Sequence, residues 1–552
     1  MQSFLQYRRL RRDVERDLSR GRRVARGSAP SVISNGQSEH EKEHDQESVE
    51  HENDRVPESY PTSDMPMVPG VTISHLDDEA ASIVFVVGWP ETDLHNPRDW
   101  SMTKKWTTIV TTCILTAVLI IPSSVDGATQ EAFNAYFGVN ALAGSMTTGI
   151  FLIGIGVGSL FSGPFSETFG RNAVYISTMI VVMLFIMGKA LAPNYGAAIT
   201  FRFLAALFAA APMTVMGGTV GDIWTPNQIA FGLPFATFAG YAGPILGPVI
   251  GAYTPQIGFA WADWISMILI GAALVMILLG FPETYGPILL QWRAKHLRDL
   301  TGDSRYRAPH AHGSLGSRLL INISRVFTMA WTEPIILIFS FYLTLLYFIL
   351  FAFLGGYEYI FKIPYGISTS LTYIIFAAMI PGVAVAIALI PFIWQLTKKE
   401  AARAREKGQT TPPEVALYWS TVAGGAVLMP VSLFWLGWTC YGSISIWSPI
   451  VASGVFGYAL VCIFTTSHMY VISVYQDYAA SALGFMTFTR YLISGALTPA
   501  SLQMYESIGP HWSLTLVGVI AALMAPIPYV LHRYGPQIRA MSKNVQNKTG
   551  GC

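Results

Sequence analysis

Between Thr107 and Leu531 long apolar runs alternate with short polar links, and about twelve runs reach roughly 20 residues, enough to cross a ~30 Å hydrocarbon core as a helix. They lie near 107–126, 142–163, 173–192, 199–221, 230–253, 259–281, 334–355, 369–393, 415–437, 444–466, 479–503 and 511–531. Lipid offers the backbone no hydrogen-bond partner, so such runs must close their own bonds as helices. The pattern predicts an all-α polytopic membrane protein.

A polar stretch with Arg293, Lys295, Arg298, Arg305, Arg307, Arg318 and Arg325 separates the sixth run from the seventh. The expected organisation is a disordered tail at 1–100, a six-helix half at 101–281, a central loop at 282–333, a second half at 334–531 and a tail at 532–552. Basic residues are retained on the cytoplasmic side during insertion. The first tail, the central loop, the link at Lys398, Lys399, Arg403, Arg405 and Lys407, and the last tail hold nearly all of them, leaving only Lys189 and Lys362 opposite. Both termini and the central loop are therefore expected in the cytosol, which requires an even number of spans. No apolar run precedes Thr107, so the first span is expected to start insertion itself.

Composition agrees with a lipid-embedded chain: 52% of residues are hydrophobic and 12% charged. A net charge of +1 gives no reason to expect nucleic acid as a partner. Four cysteines without CxxC or Cys/His spacing imply neither a disulfide framework nor a metal site. No phosphate-binding GxxxxGK[ST] loop is present, and no cofactor is implied.

Three motifs carry mechanism. After the second run comes Gly163-Pro164-Phe165-Ser166-Glu167-Thr168-Phe169-Gly170-Arg171-Asn172, read as a tight link with opposite charges at Glu167 and Arg171. The fifth run carries Gly243-Pro244 and Gly247-Pro248, with Gly243, Gly247 and Gly251 on one helical face where a partner helix can approach closely. The fourth opens with Arg202, followed by Ala206 and Ala210. With Asn96-Pro97-Arg98-Asp99-Trp100-Ser101, Pro282-Glu283-Thr284-Tyr285 and Tyr475-Gln476-Asp477-Tyr478-Ala479-Ala480-Ser481-Ala482, these motifs resemble the major facilitator superfamily, in its twelve-span drug:proton antiporter family of fungal type. The resemblance runs from Asn96 to the last tail, with Asn172 departing from the usual second basic residue and Ala206 from the usual glycine. It implies two six-helix halves around one central site, a link that holds the halves together in one state, and an arginine at 202 tied to proton transfer.

A proton-coupled carrier needs a titratable group whose proton affinity follows conformation. Asp126 lies near the outer level at which Arg202 enters the fourth run, so one reading pairs the two with Asp126 as proton acceptor. The other readings leave Asp126 capping an outer loop and Arg202 snorkelling to the interface. His468 and Arg490 are further polar groups within spans, either handling protons or serving fixed structural roles. Phe235, Phe238, Tyr342, Tyr347, Phe351 and Tyr373 are candidates to line a site for a flat or lipophilic ligand.

The expected function is proton-coupled export of a small lipophilic organic compound (drug, toxin or secondary metabolite) by alternating access. It needs a lipid bilayer, a small-molecule substrate and protons, and is expected of a single chain, a monomer. The plasma membrane is the default location, with the vacuolar membrane as alternative. Few carboxylates fall at mid-membrane, which disfavours a polyamine exporter. A nutrient importer of the same fold is a second alternative. A lipid-modifying membrane enzyme is a third, although no cluster of His, Asp and Glu suggests one.

Overall fold

The computed structural model describes residues 2–27, 68–75, 83–224, 226–309, 315–409, 411–475 and 479–542. Its helices are α1 (Gln2–Gly27), α2 (Met102–Ile120), α3 (Pro122–Phe137), α4 (Ala141–Phe169), α5 (Arg171–Ala190), α6 (Tyr195–Ile223), α7 (Pro226–Gly251), α8 (Trp261–Gly280), α9 (Gly286–Thr301) and α10 (Leu315–Thr332). They continue as α11 (Pro334–Tyr357), α12 (Ile363–Tyr365), α13 (Thr369–Ile374), α14 (Met379–Ala388), α15 (Ile390–Glu406), α16 (Tyr418–Thr421), α17 (Gly425–Thr439), α18 (Trp447–Tyr475), α19 (Ala479–Met524) and α20 (Ile527–Arg539). The strands are β1 (Val71–His75), β2 (Ile83–Val87) and β3 (Tyr306–Arg307). The chain divides into two units, one of residues 1–3, 97–288 and 312–552 and one of residues 4–96 and 289–311.

The larger unit holds eleven helical stretches long and apolar enough to cross a membrane among the described residues. The last, Ala479–Arg539, has 61 residues. At 1.5 Å per residue that is about 90 Å, far too long for one crossing. Gly509, with φ 76° and ψ 166°, breaks it into two helices just before Pro510, which raises the number of passes to the expected twelve.

Pairings recur six spans apart. Span 1 (α2 with α3) packs on span 5 (α7), as span 7 (α11) packs on span 11 (the first part of α19); span 2 (α4) packs on span 4 (α6), as span 8 (α14) packs on span 10 (α18). Between the halves, α4 meets α19 and α7 meets α14, contacts that exchange under the same six-span shift. Glycines make these crossings close. A Cβ on Gly154 would stand 2.7 Å from the Ala206 Cβ, and one on Gly495 2.6 Å from the Gly149 carbonyl. The Arg202–Ala206–Ala210 face of α6 thus lies against glycines of α4. Asn140 and Asn194 start α4 and α6 by accepting hydrogen bonds from the Ala143 and Ala197 amides at 2.9 and 2.8 Å.

Three expectations change. Residues 163–169 are not a link, because α4 continues through Pro164 to Phe169 and only Gly170, at φ 92°, turns the chain into α5. The basic residues 398–406 likewise belong to a helix, α15. The described parts of residues 1–100, expected to be disordered, form α1, β1 and β2 of the smaller unit. There β1 pairs antiparallel with β2 (Val71↔Val87) and β2 parallel with β3 (Phe85↔Tyr306). Val14 of α1 and Leu290, Ala294 and Leu297 of α9 share a core with Phe85 and Val87. Arg293 is held 3.1 Å from Asp93. A sparse apolar stripe reads as solvated until a distant segment supplies the matching face. The stretch 28–67 lies outside the described residues.

Candidate functional site

A cavity of about 1610 Å³ lies between the halves of the larger unit. Its wall includes the end of α4, the start of α5, the ends of α6 and α15, and the starts of α7 and α19, so it opens at the end that bears the Gly170 turn. The opposite end is closed by bonds from one half to the other. The Tyr373 hydroxyl donates to the Gly127 carbonyl at 2.9 Å, the Ser370 hydroxyl to the Ala252 carbonyl at 2.8 Å, and Lys362 pairs with Glu131 at 3.2 Å.

At mid-depth the cavity is lined by Tyr241, Tyr347, Phe351, Phe464, His468, Arg490 and Tyr491. The Arg490 carbon Cζ lies 4.9 Å from the ring centres of Tyr347 and Phe464 and 5.0 Å from that of Tyr491. Such cation–π contacts attract the guanidinium without neutralising it. Its NH1 group lies 3.2 Å from His468 Nε2, and His468 Nδ1 lies 3.0 Å from the Phe464 carbonyl. A guanidinium only donates and a carbonyl only accepts, so both contacts fit a neutral imidazole protonated on Nδ1. His468 then has no lone pair left for a transported proton in this conformation.

Of the expected lining aromatics, Tyr347 and Phe351 face the cavity. Phe235 instead packs edge-on against Trp106 at 5.4 Å, Tyr342 is buried inside the second half, and Tyr373 belongs to the closed end. Helical periodicity does not say which face of a uniformly apolar helix meets the cavity. The Phe238 side chain lies outside the described residues.

Asp126 and Arg202 come together at 2.9 Å, and sequence reasoning missed two partners. Lys189 Nζ stands 2.9 Å from Asp126 and 2.8 Å from Asp263, so four buried groups sum to zero charge. Arg202 is 1% exposed, donates to the carbonyls of Pro122 and Thr147, and lies 4.4 Å over the Phe151 ring. Neither a loop cap at Asp126 nor a snorkelling Arg202 survives this geometry. The missed signal was an ionisable residue at the edge of each of two further apolar runs. None of the four lines the cavity.

At the open end Arg171 Nε donates to Asp222 at 3.0 Å, and the Glu283 carboxylate accepts from the backbone amides of Arg171 and Asn172 at 2.9 and 3.1 Å. Glu283 thereby caps the positive end of α5. Burial pushes its carboxyl above the ordinary range, against the pull of those amides and Arg171. Glu167 lines the cavity there. The second half has a polar cluster at the corresponding places six spans on with acid and base exchanged: Glu414 before span 9, Tyr470 in span 10 and Arg539 after span 12 are joined by hydrogen bonds. Gly243, Gly247 and Gly251 face span 1: a Cβ on each would meet Ile120, Ile121 and Val125 respectively, while Pro244 lines the cavity and Pro248 lies within α7.

Residues 107–499 match the sequence model of the Major Facilitator Superfamily. The chain is 39% identical to the MFS-type transporter kojT of Aspergillus oryzae over 98% of this chain and 100% of that protein. It is 31% identical to the MFS-type transporter paaT of Penicillium rubens over 84% of this chain and 83% of that one. The xylose transporter XylE from E. coli superimposes with a TM-score of 0.54 at 13% identity, covering 78% of this chain and 98% of that one, which speaks for the fold alone. With its repeated six-helix halves and a cavity open at one end, this chain belongs to the Major Facilitator Superfamily and is a multi-pass secondary transporter.

Proposed function

We propose that the chain is a proton-coupled exporter of small lipophilic organic compounds, working by alternating access as a single chain with both termini in the cytosol. The plasma membrane is its proposed location, with the vacuolar membrane as alternative. The observation that carries this reading is the separation of two sites: an aromatic cavity open at the end with the basic segments, and a buried charge quartet near the other end that the cavity does not reach. With the basic end cytosolic, the cavity takes cargo from the cytosol.

Opening the far side must break the Tyr373–Gly127, Ser370–Ala252 and Lys362–Glu131 contacts. Neutral hydrogen bonds contribute about 1 kcal/mol each and an exposed ion pair less, so the barrier set by these contacts is a few kcal/mol. Cargo binding and one proton are enough to shift such an equilibrium. Protonating Asp126 would loosen Arg202 and Lys189 and so couple the outer proton concentration to the position of α3, α5 and α6. Glu167 and Asp222 are the cavity's only carboxylates among its described lining residues, which favours non-polycationic cargo.

The test uses the full chain in liposomes loaded with a pH-sensitive dye. A candidate compound placed on one side should drive protons toward it, against its own movement. Protons that travel with the compound would make the chain a symporting importer, and compound flux without proton flux would remove the coupling.

A further inference from the structure

Four arginines are buried among the described residues: Arg171, Arg202, Arg293 and Arg490. Arg171 has Asp222 at 3.0 Å, Arg202 has Asp126 at 2.9 Å and Arg293 has Asp93 at 3.1 Å. Arg490, 5% exposed, has neutral His468 and three aromatic rings, and its Nε makes no hydrogen bond among the described residues. Among the described residues every other buried guanidinium has a carboxylate beside it, and Arg490, in the wall of the cavity, has none.

We infer that Arg490 is the docking group for the charged end of the cargo, and that the cargo is a small organic acid carried as its anion, with a flat unsaturated body held by the rings of Tyr241, Tyr347, Phe464 and Tyr491. This deepens the proposed function and rests on the cavity being the transport site.

Three considerations lead there. A guanidinium presents its N–H groups in a fork that matches a carboxylate or enolate, and among the described residues no carboxylate meets that fork: NH1 has the neutral His468, and Nε has no partner. Arg490 lies eleven residues into α19, about 17 Å from its start, so once the halves close over the cavity water no longer screens it. An anionic cargo supplies the missing counter-charge in that occluded state, whereas a cationic one adds to the excess. The approach has the same sign: Arg98, Arg171, Arg325, Lys398, Arg405 and Arg490 line the cavity against Glu167 and Asp222, six positive side chains to two negative. A cleft lined mainly by one charge concentrates ligands of the other.

The experiment is a titration of the detergent-purified full chain, read by its melting midpoint, with benzoate, its neutral isostere benzamide and cationic benzylamine. Benzoate should reach half-effect at a concentration at least about tenfold below benzamide, with benzylamine weakest. Arg490→Gln should erase that margin while leaving benzamide nearly unchanged, and Arg490→Lys, which keeps the charge and loses the fork, should keep only part of it. The inference falls if benzamide or benzylamine matches benzoate on the unmodified chain, if benzoate has no effect, or if its margin survives Arg490→Gln. Should that variant not fold, the three-probe comparison on the unmodified chain decides alone. Binding in detergent involves no gradient, so failed proton coupling in liposomes and failed anion selection here are separate results.

Discussion

Lys189 Nζ stands 2.9 Å from Asp126 Oδ1, although the lysine closes α5 and the aspartate lies inside α3, 63 residues earlier. The pair joins Arg202 and Asp263 in a buried set of two cations and two anions.

Asp126→Asn removes one anion and leaves Arg202 and Lys189 sharing Asp263. Breaking a buried pair from one side costs about 3–5 kcal/mol, so a clear loss of thermal stability is expected. Transport should lose its response to an imposed pH gradient, measured in dye-loaded liposomes; retained pH-driven flux would remove Asp126 from the coupling. The double variant Lys189→Met with Asp263→Asn keeps Asp126 with Arg202. It should be more stable than the sum of its single losses by a few kcal/mol, because it deletes a cation and an anion together.

Gly247 and Gly240 lie seven residues apart on α7 and should respond oppositely. A Cβ at Gly247 would stand 2.8 Å from the Ile121 carbonyl and 3.0 Å from the Val125 amide nitrogen, both backbone atoms that cannot yield, whereas nothing lies within 4 Å of one at Gly240. Gly247→Leu is expected to cost about 1–3 kcal/mol or more and to stop transport, while Gly240→Ala should be neutral or stabilising by up to about 1 kcal/mol. Melting midpoints of the two purified variants check this.

Tyr373→Phe removes the hydroxyl that bonds Gly127 across the closed end and Glu358 at 3.2 Å. A loss of about 1–2 kcal/mol from the closed end shifts the equilibrium toward the opposite-facing state roughly 5- to 30-fold. Spin labels at the exposed Ala135→Cys and Ile363→Cys, which leave the Lys362–Glu131 pair in place, should report a longer distance population that is minor without the substitution. An unchanged distribution would mean the hydroxyl does not hold the closed end.

In the smaller unit, burial holds the His296 ring below its ordinary value of 6.5. The folded state therefore prefers the neutral ring while the unfolded state takes up a proton near 6.5. The stability this contributes is fully present above 6.5 and is lost as pH falls through the lowered value. The protection factors of the α9 amides, which divide out the intrinsic exchange rate, should be lower at about pH 5.5 than at about pH 7.5, and His296→Gln should flatten the difference.

The number and order of spans, the division into two halves and the glycine-rich face of the fifth span were legible in the chain, because each rests on runs of residues and their own spacing. Asp126 and Arg202 could be matched because both fall at one membrane level. For Lys189 the sequence gives only its outer level, since position along a helix tells depth but not azimuth. The motif shows Arg171 and Glu167 as opposite charges in one segment, and the partner that Arg171 meets is Asp222 on another helix.

What the sequence determined alone is the solvent: runs of about 20 apolar residues have only the bilayer to dissolve in, and that dictates helices, their number and the repeat. What only the tertiary structure decided is which polar groups find each other. In hydrocarbon a charge is tolerable only beside its complement, and that complement comes from whichever helices the packing brings alongside. The fold supplied one for Asp126 and Arg202, and among the described residues it left Arg490 facing the cavity without one.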